Sequence, residues 1–326
     1  MPGISVSKIP IPFRSAGGIS WSSYWATLIS ATVENAAPTH VVLTFPTAQT
    51  SLGASDFTIA GFTIASASWT GAVLTLVLLY PVTYFSGDLT ITFVTTSETA
   101  TVTNNVAIAN TVGWYLLGDG SATYMTKDGS NVVSQWNDLS GSNNHLTQGT
   151  AALRPLYNAS LGVIFDGSNT AGQGDYLKSA AFTYNQPCHI YMVVRNRAYE
   201  LNHGIADGNL NGYRFGQKPG GNMYMYAGTA GASITDEVLN TTDYYIVRLL
   251  YSGANSKGQV NNYSAKATPG IGTQAWGGIT LGARGTGSDP AQVTIKEAIF
   301  RNAADDTATE TAIFNYLAYK HGFFLI

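Results

Sequence analysis

Three short stretches in the second half of the chain combine large rings with amide and guanidinium groups. Sugars stack their CH faces on aromatic rings, and their hydroxyls form hydrogen bonds with Asn and Arg side chains. The candidate glycan-binding residues are therefore Tyr213, Arg214, Asn222, Tyr224, Tyr226 and Trp276. For each ring taken alone, the alternative is core packing: Tyr224 and Tyr226 fill one face of a strand, and Trp276 caps the core.

The carboxylates do not form the pattern of a β-sheet glucanase. Such an enzyme needs an acid and a nucleophile held together on one strand, in the order Glu-x-Asp-x-Glu or a close variant. None of the Glu residues, at positions 34, 98, 200, 237, 297 and 310, occurs in that pattern. The neighbours Asp236 and Glu237 would point to opposite faces of a strand. We therefore predict that the chain is not an enzyme and that no residue is catalytic, with a divergent glycoside hydrolase as an alternative.

Metal and cofactor signals are sparse. The five His residues lack the spacing of zinc ligands, and Cys188 is the one cysteine, which we predict to be a small buried hydrophobe. Calcium is the one metal with candidate ligands, because Asp and Asn side chains and carbonyl oxygens in loops can hold it. The candidates are Asp166, Asn169 and Asp175, or Asp119 and Asp128. The prediction is therefore no cofactor, with calcium kept open.

Composition narrows the class of protein. The chain has 326 residues, 35 of them Gly, with 12% aromatic and 11% charged residues and a net charge of −3. This composition is typical of a turn-rich all-β protein of roughly two domains. A net charge of −3 does not provide the basic surface that nucleic-acid binding needs. No apolar run is long enough to span a membrane.

Residues 1–30 look like an arm. The sequence predicts an extended, proline-stiffened segment that is rich in aromatic residues, and an aromatic surface of this kind usually needs to be covered. The arm either packs back on its own domain or docks into a larger assembly. The candidate docking residues are Ile9, Ile11, Phe13, Trp21, Tyr24 and Trp25.

Residues 31–111 carry short apolar strands separated by Pro and Gly. In Leu89-Thr90-Ile91-Thr92-Phe93 the apolar residues alternate cleanly with threonine, as in a half-buried strand. Strands at this spacing make a small β-sandwich. The segment resembles bacterial and phage immunoglobulin-like repeats, and the resemblance implies a spacer.

Residues 112–326 contain a distinctive order of motifs. Trp136 and Asp138 lie in a run of turn formers, and Phe165-Asp166-Gly167 reads as a buried strand followed by a tight turn. Thr307-Ala308-Thr309-Glu310 reads as a capping box that opens a single helix, with Lys320 and His321 near its negative end.

This order resembles the concanavalin A-like, laminin-G-like jelly-roll family. The predicted fold is therefore all-β: an immunoglobulin-like β-sandwich, then a concanavalin A-like jelly-roll sandwich with one C-terminal helix. The family binds sugars, binds proteins, cuts polysaccharides or builds structure, so the resemblance implies a fold more than a function.

The combination favours a non-catalytic protein on the outside of a phage virion, such as a head fibre, decoration or tail-associated protein. The arm resembles those of phage structural proteins. We expect it to dock to capsid or tail proteins of a virion assembled in the host cytoplasm. A homo-oligomer, with a trimer favoured, would adhere weakly to host or mucosal glycans through its last domain. The alternative is a secreted or surface carbohydrate-binding module of a bacterium.

Overall fold

The computed structural model describes residues 28–48, 51–107, 109–167, 174–209 and 212–323. Within them the protein is all-β with one α-helix, which confirms the predicted fold class. The first strands are β1 (Ser30–Glu34), β2 (His40–Thr44), β3 (Phe57–Ile59), β4 (Ile64–Thr70), β5 (Val73–Leu78), β6 (Leu89–Phe93) and β7 (Thr99–Asn105).

The later strands, which begin at Thr111, build two larger sheets. They are β8 (Thr111–Leu116), β9 (Met125–Lys127), β10 (Val133–Trp136), β11 (Leu146–Thr147), β12 (Leu156–Asn158), β13 (Gly162–Asp166), β14 (Leu177–Lys178), β15 (Cys188–Asn196), β16 (Gly204–Asp207), β17 (Tyr213–Lys218), β18 (Asn222–Ala227), β19 (Ala232–Ser233), β20 (Tyr245–Tyr251), β21 (Lys257–Val260), β22 (Lys266–Ala267), β23 (Thr280–Leu281) and β24 (Gln292–Arg301). The helix α1 spans Thr307–Lys320.

The first seven strands form one sheet in the order β3-β6-β7-β1-β2-β5-β4, with β1 and β7 parallel. Side chains from both ends of this order, such as Leu76 and Ile91, meet in a single core. The sheet therefore folds over itself into a small sandwich. The alternation predicted for β6 is confirmed, because Leu89, Ile91 and Phe93 are buried and Thr90 is exposed.

The later strands form a nine-stranded sheet, β19-β18-β17-β16-β23-β14-β11-β10-β9, and an eight-stranded sheet, β12-β13-β24-β15-β20-β21-β22, in which β8 also pairs with β24. Their inner faces share one apolar core, so the two sheets are packed face to face. β15 is buried along almost its whole length, as expected for an inner strand that is covered on both faces.

The loop around Trp136 forms as the sequence indicates. The Trp136 ring is fully buried, and its Nε1 donates to the carbonyl of Leu116 at 2.9 Å. The Asp138 carboxylate accepts hydrogen bonds from the backbone N–H groups of Trp114, Ser140 and Asn144. Asp138 therefore ties the loop to β8 and satisfies donors that would otherwise be buried without partners.

The second predicted motif is also present. Phe165 is buried in the core, and Gly167 follows at a φ of +78°, a conformation that favours glycine. Cys188 is fully buried at the start of β15.

The start of α1 corrects one prediction. Asp306, not Thr307, is the N-cap, and its carboxylate accepts from the backbone N–H of Thr309 at 2.8 Å. Glu310 does not turn back to close a capping box. It is buried under the helix, where it pairs with Lys257 at 2.9 Å and Arg248 at 3.6 Å.

The helix lies on the outer face of the eight-stranded sheet. Ile313, Phe314 and Leu317 pack against a layer that includes Tyr191 and Ile299. Phe85, from the first sandwich, joins this layer. Its ring centroid lies 5.1 Å from that of Trp114 and 5.8 Å from that of Tyr316.

A buried carboxylate lies at the centre of this contact. Glu297, on β24, is fully buried and accepts hydrogen bonds from Trp114 Nε1 and Tyr316 Oη, each at 2.8 Å. His321 Nε2 lies 2.8 Å from its other oxygen and Lys320 Nζ lies 3.8 Å away. The sequence suggested that Lys320 and His321 stabilise the negative end of α1. In the structure they contact the carboxylate of Glu297.

These contacts decide the charge of Glu297. Desolvation by burial would raise the pKa of its carboxyl group, but the bond to His321, the charges of Lys320 and His321 and the bond from Trp114 outweigh it. The pKa of Glu297 is therefore lowered from its usual value, and the group stays ionised in the folded protein.

No helix within the described ranges is long and apolar enough to cross a membrane.

Replacing this carboxylate should destabilise the fold in a pH-dependent way. Because the folded-state pKa of Glu297 is lowered, its ionisation contributes stability above the unfolded-state pKa near 4.3 and loses it as the pH falls through the folded-state pKa. We expect Glu297→Gln to lower the free energy of unfolding by about 2–4 kcal/mol at pH 7. The deficit should shrink below about pH 4.

Chemical denaturation at both pH values, with the exposed Glu237→Gln as control, measures this. An equal deficit at pH 7 and at acid pH would show that Glu297 acts through packing rather than charge.

Candidate glycan-binding site

The candidate site lies on the outward face of the hairpin formed by β17 and β18. Met223, Met225 and Ala227 point into the core, so the alternating residues of β18 face outward. Arg214 pairs across the hairpin with Tyr226, and Lys218 pairs with Asn222. Residues that face each other across two strands lie on the same side of the sheet, so these four side chains share one surface.

A cleft of about 340 Å³ opens on this surface. Its lining residues come from four stretches of the chain: the turn before β16, the β17–β18 hairpin, the turn between β18 and β19, and the turn after β23. The residues are Asn202, Arg214, Lys218, Tyr224, Tyr226, Gly231 and Arg284.

A glycine makes room for one wall of the cleft. Gly216 lies opposite Tyr224 in the hairpin, and a Cβ atom there would come within 2.7 Å of the tyrosine ring. The ring of Tyr224 can therefore lie across the strand and reach Arg214. Tyr224 is 3% exposed, so its hydroxyl orients Arg214 more than it presents a stacking face.

Arg214 is the best-held cation of the site. It is 7% exposed, and its Nη1 donates to the carbonyl of Asn202 at 3.0 Å and to the hydroxyl of Tyr224 at 2.9 Å. Its guanidinium carbon lies 5.9 Å from the centroid of the Tyr226 ring. The buried Nε has no hydrogen-bond partner within the described structure. Arg214 is therefore fixed in place with donor capacity left over.

The neighbouring tyrosine stays neutral. Burial raises the pKa of the Tyr224 phenol, while the charge of Arg214 and the hydrogen bond from it act in the opposite direction. A neutral hydroxyl accepts from Arg214 and still has a proton to donate.

Two further cations border the cleft. Lys218 Nζ lies 5.3 Å from the centroid of the Tyr224 ring, and the described part of the chain provides no carboxylate that pairs with it. Arg284 Nε lies 2.7 Å from a carboxylate oxygen of Asp289. The cleft is therefore bordered by three cations, of which Arg284 is paired with a carboxylate.

A buried acid holds the turn that carries Arg284. Asp207 is fully buried on β16 opposite Arg214, and its carboxylate accepts from the backbone N–H groups of Gly208 at 2.8 Å and Gly285 at 3.1 Å. The Asp207 side chain thereby connects the strands under the cleft with the turn that carries Arg284.

The structure brings together Arg214, Tyr224 and Tyr226 from the predicted set, with the half-buried Asn222 beside them. Tyr213 belongs to β17, but its side chain lies outside the described part of the structure.

Trp276 has to be withdrawn as a glycan-binding residue. Its ring is fully buried in the core of the second sandwich, with ring centroids 5.5 Å from Tyr251, 5.7 Å from Tyr184 and 6.0 Å from Phe300. A ring without solvent-facing surface cannot stack on a sugar. The alternative of core packing is the correct one for Trp276.

Three lining residues were not predicted. Lys218 carried a signal in the sequence, because it lies four residues after Arg214 on the same strand and so shares its face. Asn202 and Arg284 belong to turns distant in sequence from the hairpin. No local pattern connects them to it.

The predicted calcium ligands are only partly described. Asp166 and Asp175 are close, since an oxygen of Asp175 accepts from the backbone N–H of Asp166 at 3.3 Å, whereas Asn169 lies outside the described residues. Within the described ranges no three His, Cys, Asp or Glu side chains are grouped to hold a metal ion. The prediction of calcium remains a prediction. The six candidate docking residues of the N-terminal arm likewise lie outside the described structure.

No protein-family model matches the chain, and no curated protein matches it. It is similar to solved structures. Sialidase from Trypanosoma rangeli matches at 10% identity and a TM-score of 0.45, over 86% of this chain and 51% of that one. Domain 4 of AbnA, a GH43 extracellular arabinanase from Geobacillus stearothermophilus solved with arabinotriose, matches at 11% identity and a TM-score of 0.40, over 63% of this chain and 98% of that one.

An arabinofuranosidase complexed with arabinofuranosyl-xylobiose matches at 16% identity and a TM-score of 0.36, over 58% of this chain and 51% of that one. The chain spans between 33% and 51% of the length of the sialidases that it matches. Similarities of this size do not transfer an activity, a substrate or a site to the chain.

The prediction that the chain is not an enzyme is nevertheless wrong as it was made. Its structural neighbours include glycoside hydrolases, a sialidase and an arabinofuranosidase. The prediction depended on the absence of one strand pattern, Glu-x-Asp-x-Glu. Hydrolases on other β-folds place their carboxylates differently, so the absence of that pattern does not separate enzymes from binding proteins.

The Asp175 carboxyl group gives a testable pH effect. Burial, followed by repulsion from Asp166, raises its pKa to about 7. The folded protein therefore keeps a proton that the unfolded chain releases near pH 4, and the free energy of unfolding falls as the pH rises from about 4 to 7. We expect Asp175→Asn to raise the melting temperature at pH 8 and to leave it nearly unchanged at pH 4.5.

Scanning calorimetry at the two pH values, with the exposed Asp243→Asn as control, checks this. If Asp175→Asn destabilises the protein equally at both pH values, the carboxyl group is ionised throughout and serves as a hydrogen-bond acceptor.

Proposed function

We propose that the chain binds glycans through the cleft lined by Arg214, Lys218, Tyr224 and Tyr226. The observation that carries the proposal is the geometry of Arg214, which lines the cleft, is held in place by two hydrogen bonds and lies beside a partly exposed ring. A fixed donor next to a ring is what a sugar needs, because it offers an apolar face and hydroxyl groups together.

The size of the cleft supports the proposal. Ligand pockets in proteins usually measure roughly 300–1,000 Å³, and this cleft, at about 340 Å³, lies near the lower limit. One or two sugar rings fit such a volume. Tyr226 is the ring available for stacking, since it is half-buried while Tyr224 is covered.

The proposal includes a division of the chain into an arm of residues 1–30, a spacer of residues 31–111 and a binding domain of residues 112–326. The spacer is proposed to be immunoglobulin-like. With β1 to β7 lettered A to G, its sheet runs D-E-B-A and then G-F-C, the two sheets of that fold. The binding domain is proposed to be a concanavalin A-like jelly roll, with which its two packed sheets are compatible.

We also propose that the protein lies on the surface of a virion, where it docks to capsid or tail proteins. This part rests on the sequence alone: the aromatic arm and the resemblance of the first two segments to phage proteins. An oligomer, with a trimer favoured, would strengthen weak glycan contacts, since linked sites rebind at a high effective concentration.

Glycan binding should depend on Tyr226. We expect the purified chain to give a specific signal on an array of bacterial surface polysaccharides and mucin glycans, with and without calcium. Tyr226→Ala should weaken it by about tenfold, because the stacking face is lost. Tyr263→Ala removes a ring that is 40% exposed in the turn after β21, a strand of the other sheet, and should leave binding unchanged.

If no glycan on the array binds, the proposed function is wrong. A signal that survives Tyr226→Ala would place binding elsewhere on the molecule.

The arm should hold the oligomer together. We expect removal of residues 1–27, before the first described residue, to reduce the mass measured by light scattering to that of a monomer, because an apolar arm stabilises assemblies by burying its rings. A full-length chain that is already monomeric, or a truncated chain that keeps the oligomer, would contradict this assignment.

A further inference from the structure

We infer that the arm docks on a second copy of the chain by adding residues 4–7 as a strand to the free edge of β4. This inference rests on the proposed oligomer that the arm holds together and adds to it the docking surface. The starting point is the strand order of the first sandwich, in which β4 comes last and pairs with β5. Within the described residues no strand lies along its other edge.

β4 is the longest of the strands that end a sheet in the described structure. It has seven residues, whereas β3, β9, β12, β19 and β22 have two or three. Proteins usually protect a long edge with charged residues, proline or a bulge. The sequence of β4 is Ile-Ala-Ser-Ala-Ser-Trp-Thr, without charge or proline, and its one irregularity lies between Ile64 and Ser66. Residues 66–70 therefore present a regular edge.

The molecule covers a comparable edge elsewhere. β8 pairs with β24, and the loop of Asp138 binds the backbone of β8 that is left over. The Asp138 carboxylate accepts from the N–H of Trp114 at 3.0 Å, and the carbonyl of Trp114 accepts from the N–H of Leu139 at 2.8 Å. No backbone group of β4 is bound in this way by a described residue. A free edge of this kind can accept an added strand.

The turn at the end of β4 identifies the free backbone groups. A two-residue turn joins β4 to β5, so Thr70 and Val73, which flank it, form a hydrogen-bonded pair. Such pairs alternate with unbonded pairs along an antiparallel ladder. The backbone N–H and C=O groups of Ala67 and Trp69 therefore point away from β5, to the free side.

The core beneath this edge is incompletely covered. Ala67 and Trp69 pack against the core of the first sandwich but are only partly buried, whereas Leu74 and Leu76 on the neighbouring β5 are fully buried. Ser68 lies between them in sequence and is exposed. A strand added to this edge would bury more of the Trp69 ring if its own inward side chains are apolar.

The start of the arm has the required pattern. Ile4-Ser5-Val6-Ser7 alternates apolar side chains with hydroxyls, as β4 does. Such a segment can place Ile4 and Val6 over the core and both hydroxyls toward water. Pro10 and Pro12 follow and lack the N–H that a longer ladder would need.

The arm joins the sandwich at the end of the sheet where β4 ends. The N–H of Ile29 donates to the carbonyl of Thr44 at 2.8 Å, and Thr44 pairs with Val73, which pairs with Thr70. Residues 8–28 span at most about 70 Å when extended. That length is sufficient to reach the sandwich of an adjacent copy.

A donated strand also suits the favoured trimer. Two β4 strands that paired with each other would be related by a twofold axis and would give a dimer. A strand that one copy gives to the next makes a head-to-tail contact, and such contacts can close into a ring of three. The edge is therefore assigned to the arm and not to the β4 strand of another copy.

Hydrogen exchange of single amides tests the pairing. We expect removal of residues 1–8 to speed the exchange of the Ala67 and Trp69 amides about tenfold or more, because their N–H groups lose their acceptors. The amide of Ser68 bonds to β5, so it is the matched control and should be equally protected in both chains. Mass spectrometry with residue-level fragmentation measures each rate.

A variant of the full-length chain gives the same test without a truncation. Val6→Pro removes a backbone N–H and should speed the exchange at Ala67 and Trp69, and it should lower the mass measured by light scattering to that of a monomer. Ala16→Pro places the same change outside the docking segment and should leave both readouts unchanged.

Cysteine pairing identifies the donor. A chain with Ser5→Cys or Ser7→Cys is co-expressed with a chain carrying Ser68→Cys, and we expect a disulfide between the two chains after oxidation. The native Cys188 is buried and does not compete. Thr58→Cys is the matched control, since it is exposed on β3, the other terminal strand of the same sheet, and it should not form the link.

The outcomes separate this inference from the proposed oligomer. If removal of residues 1–27 gives monomers but removal of residues 1–8 leaves the Ala67 and Trp69 amides unchanged, the arm docks elsewhere and the inference falls alone. If these amides are protected in a monomeric full-length chain, the strand pairs within its own chain and the assignment to a second copy is wrong. If the full-length chain is monomeric and the amides exchange freely, the proposed oligomer fails together with the inference.

Discussion

Neutralisation of one buried carboxylate constrains the whole second half of the molecule. Glu297 lies on β24 between β8 and β15, so its position is fixed by two neighbouring strands. A charge in that place must be matched, and its cations come from the end of α1. The helix is thereby required to lie across the eight-stranded sheet. Its presence there creates the apolar layer that receives Phe85 from the first sandwich.

This arrangement leaves the two sheets of the second sandwich with different roles. The outer face of the eight-stranded sheet is occupied by α1 and by the contact with Phe85. The outer face of the nine-stranded sheet, at the β17–β18 hairpin, carries the polar and aromatic side chains that line the cleft. Rigid packing on one face thus supports a binding surface on the other, which suits a site whose side chains must stay in place before the ligand arrives.

What the sequence reveals here depends on how local each feature is. Strand alternation identified β6, and the run of turn formers around Trp136 identified its loop, since both depend on neighbouring residues. The grouping of rings with amide and guanidinium side chains identified Arg214, Tyr224 and Tyr226, and period-two alternation could have added Lys218. It could not distinguish Trp276 from a surface ring, because that depends on Tyr184, Tyr251 and Phe300 closing around it. Nor could it find Asn202 or Arg284, which join the cleft only through the pairing of β16 with β17 and β23.

The tie made by Asp207 has a consequence for how such a protein can diversify. The floor of the cleft is a regular hairpin, whereas its walls are turns, and turns accept insertions and replacements far more readily than strands do. Asp207 holds the turn of Arg284 through the backbone N–H of Gly285, not through a side chain. The anchoring position itself is restricted to glycine, because a Cβ atom at Gly285 would come within 2.1 Å of the carbonyl oxygen of Gly208. Side chains elsewhere on the turn, Arg284 among them, can vary while the anchorage stays the same. A lineage could thus change one wall of the cleft without altering the sheet beneath.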